Sequence, residues 1–253
     1  NQLKSPISLD LLTDKAIEWQ KAGKLPSLSN LQQHKVWLLS GSLDTKVLPQ
    51  VNQALFTQYQ HWVKAENIVY VTDKPFAHLF PTLNSGSKCD VSEAPFIGNC
   101  DYDAAGEMLN FIQGKLNQRN KTPNGQLVEI DQHELGGKPA QSLADNGYLY
   151  VPQSCQKGES CTLHVSFHGC NQNANAVGDV YATQTGLNNW ADTNHMVVLY
   201  PQTTSSMMMP LNPQGCWDWW GYTGEDYANQ NGEQIRAVKH IIHALSIQET
   251  QHD

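Results

Sequence analysis

Three apolar runs in this chain end in residues that can move protons or present backbone donors. Leu38-Leu39 leads into Ser40-Gly41-Ser42-Leu43-Asp44, which places a carboxylate just past a strand. Val69-Tyr70-Val71 leads into Thr72-Asp73-Lys74-Pro75-Phe76-Ala77-His78, which places an imidazole past the next. A third run ends in Phe167-His168-Gly169-Cys170, a small-residue turn whose N–H groups could face a developing oxyanion. An acid that orients a histidine, a histidine that takes and returns a proton, and backbone donors for an oxyanion are the parts of an acyl-transfer site. Each part has a plainer reading. Asp44 also reads as a loop-capping carboxylate, His78 as a packed or solvent-facing loop histidine, and His168 as a brace for its turn. His164 and His168 are four apart on a strand with no third ligand nearby, which argues against a metal.

Alternating strands and helices must position these groups. The patterning predicts helices over 10–24, 51–64, 102–116, 178–194 and 233–245. Strands are expected over 35–39 (a buried one), 67–71, 127–130, 148–151, 162–167 and 196–200. That alternation implies an α/β class with a mainly parallel sheet covered on both faces. Functional groups then collect at the carboxyl ends of strands. The 34 residues from Asp44 to His78 hold one loop, one helix and one strand, so the two side chains fall on one edge of neighbouring strands. Residues 121–147 read as a topological seam, and 1–253 as a single catalytic domain.

Composition excludes several partners. The 253 residues carry 16 Lys+Arg against 24 Asp+Glu, a net charge of −8 with no basic cluster, which argues against nucleic acid and anionic membrane surfaces. No apolar run approaches the roughly 18 residues of a membrane span. Mean hydropathy is −0.48 with only 16% charged residues, while 7 Trp, 9 Tyr and 6 Phe supply a core. Six cysteines, an even number, favour an oxidising compartment; they allow about fifteen connectivities, with six buried thiols as the alternative. No C-x-x-C pair suggests zinc. Asn1-Gln2-Leu3-Lys4-Ser5 opens without the apolar stretch of a secretory leader, so a secreted chain starting there has been processed or cut.

The expected nucleophile elbow G-x-S-x-G is missing. Gly158-Glu159-Ser160 is followed by Cys161-Thr162, and Gly41-Ser42 lacks the frame. The acid and histidine also precede the oxyanion-type turn by about 90 residues, the reverse of the ordinary hydrolase order. Both facts fit a circularly permuted hydrolase whose elbow lies upstream of Asn1.

At this point the chain resembles the secreted poly(3-hydroxybutyrate) depolymerases of the single-domain, circularly permuted α/β-hydrolase type. The matching stretches are Trp37 to Thr45, Ala77 to Thr82, Asn99 to Gly106, Gly147 to Cys155, Leu163 to Cys170, Trp190 to Asn194 and Gly215 to Trp219. The resemblance implies Asp44 as triad acid, His78 as triad base, the Cys170 N–H as an oxyanion donor and Trp219 as a substrate contact. With sequence proximity, it also implies the bridges Cys89–Cys100, Cys155–Cys161 and Cys170–Cys216. It implies no cofactor or metal, a polyester or oligoester substrate, a monomer, and a secreted location. The expected activity is that of a serine esterase cleaving a short-chain polyester. A feruloyl or acetyl esterase acting on carbohydrate and a non-catalytic polymer-binding module are the rivals. At least one of Trp217, Trp219 and Trp220 is expected to fill core, and Met207-Met208-Met209 to form a loop packed on the core, with contact to an apolar polymer as the alternative.

Overall fold

The computed structural model describes residues 6–249, so the Asn1–Ser5 opening lies outside the described residues. The chain folds as two compact units, Asn1–Lys115 and Leu116–Asp253.

The first unit begins with α1 (Leu9–Lys21). The Ser8 hydroxyl accepts the Leu11 N–H, and Asp10 and Lys21 sit at the ends where the helix dipole favours their charges. β1 (Val36–Leu39), α2 (Pro49–Gln60) and β2 (Ile68–Val71) make a β-α-β unit. Pro49 starts the helix where no N–H is needed. The two strands pair in parallel, Val36 opposite Ile68 through Leu39 opposite Val71. β1 is half-buried rather than buried, and β2 is its only strand partner among the described residues. β3 (Phe80–Thr82), β4 (Ser87–Lys88) and β5 (Ile97–Asn99) then form a small parallel sheet, with β5 central. Ile97, Ala105 and Leu109 are fully buried behind it, the latter two on α3 (Ala104–Gln113), whose first turn is capped by Asp103. A disulfide joins Cys89 to Cys100.

The second unit is built on a four-stranded sheet. Its strands and the short helices between them are β6 (Gln126–Asp131), α4 (Gln132–Gly136), β7 (Asn146–Val151), α5 (Gln153–Gln156) and β8 (Thr162–Val165). Next come α6 (Ala174–Val177), α7 (Val180–Gln184), α8 (Leu187–Ala191), β9 (Met196–Tyr200) and α9 (Glu233–Glu249). The order is β6-β7-β9-β8. β8 and β9 are parallel, as are the pairs in the first unit, while β6–β7 and β7–β9 are antiparallel. All five residues of β9 are buried, as an apolar run in mid-sheet should be. Leu199 meets Ala140, Leu143 and, from α9, Ala237 and Ile241, each at most 2% exposed.

The helix expected over 178–194 is corrected to two short ones, α7 and α8. Both glycines take left-handed backbone: Gly178 (φ 62°) closes α6 just before α7, and Gly186 (φ 84°) stands between α7 and α8 as the N-cap of α8. The Met207-Met208-Met209 loop is corrected too: its side chains are 80%, 80% and 89% exposed and cover no core.

Candidate active site

The loops that leave β1 and β2 continue the pairing of their strands. Ser40 N–H donates to the Val71 carbonyl (2.9 Å), Ser42 N–H to Lys74 (2.8 Å) and Leu43 N–H to Phe76 (3.2 Å). Gly41 permits this approach, because a Cβ there would lie 2.0 Å from the Phe76 carbonyl oxygen. The zipped loops deliver Asp44 Oδ2 to 2.8 Å from His78 Nδ1. Asp44 Oδ1 accepts the N–H groups of Lys46 (2.8 Å) and Val47 (2.9 Å). Both carboxylate oxygens are therefore engaged, and the side chain is 8% exposed. A carboxylate can only accept, so His78 Nδ1 is the donor in this contact, on a ring that is 48% exposed. The far side of His78 is held by Ser92, whose hydroxyl donates to the His78 carbonyl (2.9 Å). The Ala77 N–H donates to the carbonyl of bridged Cys89 (2.9 Å). This is an imidazole oriented through Nδ1, on a ring that is half exposed.

In the second unit, the turn after β8 is fixed by buried polar side chains. His168 is 3% exposed; its Nδ1–H donates to the Gly169 carbonyl (2.7 Å), and its Nε2 accepts the Thr203 N–H (3.2 Å). Tyr181 donates to the Phe167 carbonyl (2.8 Å), and burial pushes its hydroxyl up to about 12. Gln172 Oε1 takes the Gly169 N–H (2.8 Å). Asn171, in left-handed backbone at φ 59°, donates its N–H to Gln214 (2.7 Å). The Cys170 N–H finds no acceptor among the described residues, and Cys170 is exposed. Its sulfur is bridged to Cys216. A bridged sulfur is not a nucleophile, so the backbone donor is what this position has to offer chemistry.

Residues 146–252 match the family described as Esterase PHB depolymerase. A poly(3-hydroxybutyrate) depolymerase of Delftia acidovorans is 40% identical over 232 residues, 90% of this chain and 46% of that protein, so the chain spans about half of that relative's length. A polyhydroxybutyrate depolymerase of Talaromyces funiculosus is 39% identical over 228 residues, 85% of this chain and 67% of the relative. The crystal structure of PHB depolymerase from Penicillium funiculosum superposes with a TM-score of 0.88 at 37% identity, covering 94% of this chain and 79% of that one. The chain belongs to the PHB depolymerase family. A serine-to-alanine variant of a PHB depolymerase, complexed with an R3HB trimer, matches equally well. The fold of this PHB depolymerase family member is accordingly that of an α/β-hydrolase.

The aromatic segment after Cys216 is wound around one carboxylate. Asp218 accepts the N–H groups of Trp220 (3.1 Å), Gly221 (2.6 Å), Tyr222 (3.1 Å) and Thr223 (2.7 Å), and the Thr223 hydroxyl (2.7 Å). Burial alone would raise its pKa, but these donors outweigh burial and hold it below the ordinary carboxylate range. The result is a rigid loop that leaves Trp219 63% and Trp220 42% exposed, while Trp217 packs edge-on to Phe167 with ring centres 4.9 Å apart. Trp217, Phe167, Tyr227, Ile235 and Val238 line a cavity of about 520 Å³ with largely apolar walls. The residues that sequence reasoning missed are Tyr181, Gln172 and Thr203, which hold the turn, and Asp218, which holds the aromatic loop. Thr203 and Tyr181 reach partners 35 and 14 residues away, whereas Gln172 and Asp218 hold backbone within five residues of themselves, and no short motif marks any of them.

His168 carries a pH signature. Burial lowers its pKa from the usual 6.5 to about 4, partly offset by the Gly169 carbonyl, which favours the protonated ring. Below pH 6.5 the unfolded chain binds a proton that the folded turn refuses, so this contribution is intact above 6.5 and is lost as pH falls toward 4. Stability is expected to drop by about 3 kcal/mol over that window from this residue alone. Denaturant titrations from pH 7 to 4 should show that slope reduced in His168→Gln; an unchanged slope would place the acid sensitivity elsewhere.

Proposed function

We propose that this chain is the Asp-His and oxyanion-turn part of a secreted serine esterase that hydrolyses short-chain polyester, poly(3-hydroxybutyrate) or its oligomers. The observation that carries the reading is the Asp44–His78 pair, which stands past two adjacent parallel strands with both Asp44 oxygens engaged. Loop capping accounts for one Asp44 oxygen and leaves the other, aimed at the imidazole, without a purpose. Family membership and the matched relatives named as depolymerases support the substrate class. The three disulfides and the absence, among the described residues, of a helix long and apolar enough to cross a membrane support the location.

In this reading a serine outside 1–253, in a circularly permuted order, attacks the ester carbonyl. His78 Nε2 takes its proton while Asp44 stabilises the imidazolium, and the Cys170 N–H donates to the oxyanion. His78 then protonates the departing alkoxide, and water, deprotonated by the same nitrogen, releases the acyl group and restores the serine. Trp219 contacts the chain of the polymer. The two units act as one catalytic domain, as a monomer and without a cofactor.

The test presents the full-length protein with poly(3-hydroxybutyrate) granules and acylated xylan in parallel, with fluorophosphonate labelling. The expected result is release of 3-hydroxybutyrate units and a labelled serine. Cleavage of the xylan esters alone would assign a carbohydrate esterase, and no turnover with no label would leave a binding module.

A further inference from the structure

The loop between β9 and the aromatic segment has a feature that hydrolysis does not need. Three consecutive methionines, Met207, Met208 and Met209, stand 80–89% exposed, with Leu211 49% exposed beside them. The chain's other two methionines are covered: Met196 is 2% exposed and Met108 is half-buried. Apolar side chains that are merely tolerated at a surface usually fold back onto it. Here they stand out from a backbone that is braced. Ser206 and Asn212 exchange both N–H···O bonds across the hairpin (2.8 and 2.9 Å), the Ser206 hydroxyl donates to the Met208 carbonyl (2.8 Å), and the Met208 N–H lies 3.2 Å from the same hydroxyl. The tip is thus a braced turn whose side chains stand outward.

Its base is tied to the aromatic loop by one buried residue. Asn212, 2% exposed, accepts the Cys216 N–H through Oδ1 (2.9 Å), and its Nδ2 lies within 3.2 Å of the Cys216 and Thr204 carbonyls and the Tyr222 hydroxyl. The hairpin and the loop bearing exposed Trp219 and Trp220 are therefore joined through Asn212.

Charge narrows the partner. No Lys, Arg, Asp or Glu occurs from Met196 to Trp217, in a protein of net charge −8. An anionic lipid or nucleic acid has nothing to pair with here. A second copy of the chain would need roughly 20–30 residues per side for a stable face, against a three-methionine tip. An uncharged aliphatic solid, presenting methyl and ester groups in every direction, demands only adaptable apolar contact, which unbranched, polarisable thioethers provide. We propose that the Met207–Met209 hairpin is an adsorption tip for the surface of water-insoluble aliphatic polyester, acting apart from the catalytic groups. This rests on the polyester reading above.

The test compares the full-length protein with its Met207→Ser/Met208→Ser/Met209→Ser variant. Film-bound protein on poly(3-hydroxybutyrate) should fall about tenfold in the variant at equal free concentration, independent of salt, while hydrolysis of a soluble 3-hydroxybutyrate dimer ester stays unchanged. Dilute hydrogen peroxide supplies a second arm on the unmutated protein. Each exposed thioether takes one oxygen, the peroxide leaves as water, and the polar sulfoxides at 207–209 should form before those at 108 and 196, with adsorption falling in step. Equal adsorption by the folded variant overturns the proposal. So does a parent dimer that the substitutions convert to monomer, or parent binding to zwitterionic vesicles that exceeds binding to the film. If the parent adsorbs but cleaves no soluble ester, the catalytic reading falls while the adsorption result stands.

Discussion

Asp44→Asn in the full-length protein is expected to lower kcat on a soluble 3-hydroxybutyrate ester by about 10⁴ with little change in KM or stability. The loop geometry explains why the effect is large and specific. Asp44 Oδ1 receives two backbone N–H groups, from Lys46 and Val47, which can be satisfied only by an acceptor. An asparagine must therefore turn its carbonyl oxygen to that side, which points its NH₂ at His78 Nδ1. A ring facing a donor has to accept through Nδ1 and carry its proton on Nε2, where the free lone pair of the base should be. The capping bonds survive and the base is lost. His78→Ala should lose a similar factor by removing the base outright. Asp44→Ala differs again, since it strands the two N–H groups and should cost stability as well. Activity kept within tenfold in Asp44→Asn would show that Asp44 is a loop brace. Steady-state kinetics beside a melting curve separates the two roles.

Why this pair was legible in sequence, and other features were not, follows from the range of the interactions. Val36–Leu39 and Ile68–Val71 are apolar runs ended by loop residues, and one intervening helix compels parallel neighbours, so the positions of Asp44 and His78 follow from chain grammar. The sheet of Phe80–Thr82, Ser87–Lys88 and Ile97–Asn99 left no such trace, because strands of two or three residues have no period to read. The break of the 178–194 helix was marked by Gly186, but a glycine's preference for positive φ decides nothing until the surrounding turn demands it. Least legible was the polar wiring under the turn. Gln132, fully buried, donates to the Gln202 carbonyl (3.0 Å) and accepts the Gln202 N–H (2.9 Å), and Gln202 Oε1 takes the Ala174 N–H (2.8 Å). Such glutamines look like surface residues in a sequence, since burial is worthwhile only once every partner is in place.

The second large effect concerns the bridge that closes this wiring. Cys170–Cys216 spans 46 residues, against 11 for Cys89–Cys100 and 6 for Cys155–Cys161. Loop-closure entropy assigns them about 4, 3 and 2 kcal/mol respectively. Cys170→Ala/Cys216→Ala is therefore expected to cost about 4 kcal/mol and lower Tm by about 8–16 °C, roughly twice the loss from Cys155→Ala/Cys161→Ala. The bridge is not alone at its site, because Asn171 N–H to Gln214 (2.7 Å) pins the same two segments and Asn212 holds the Cys216 N–H (2.9 Å) within the second. Those bonds should keep the turn formed at low temperature in the double variant. Catalysis then tests the role given to Cys170. The proposed donor is its backbone N–H, which alanine retains, so ester hydrolysis at 10 °C should stay within a few-fold of the parent while stability falls. A loss of activity as deep as that of His78→Ala, in protein shown to be folded at that temperature, would mean that the oxyanion turn depends on the covalent link for its shape.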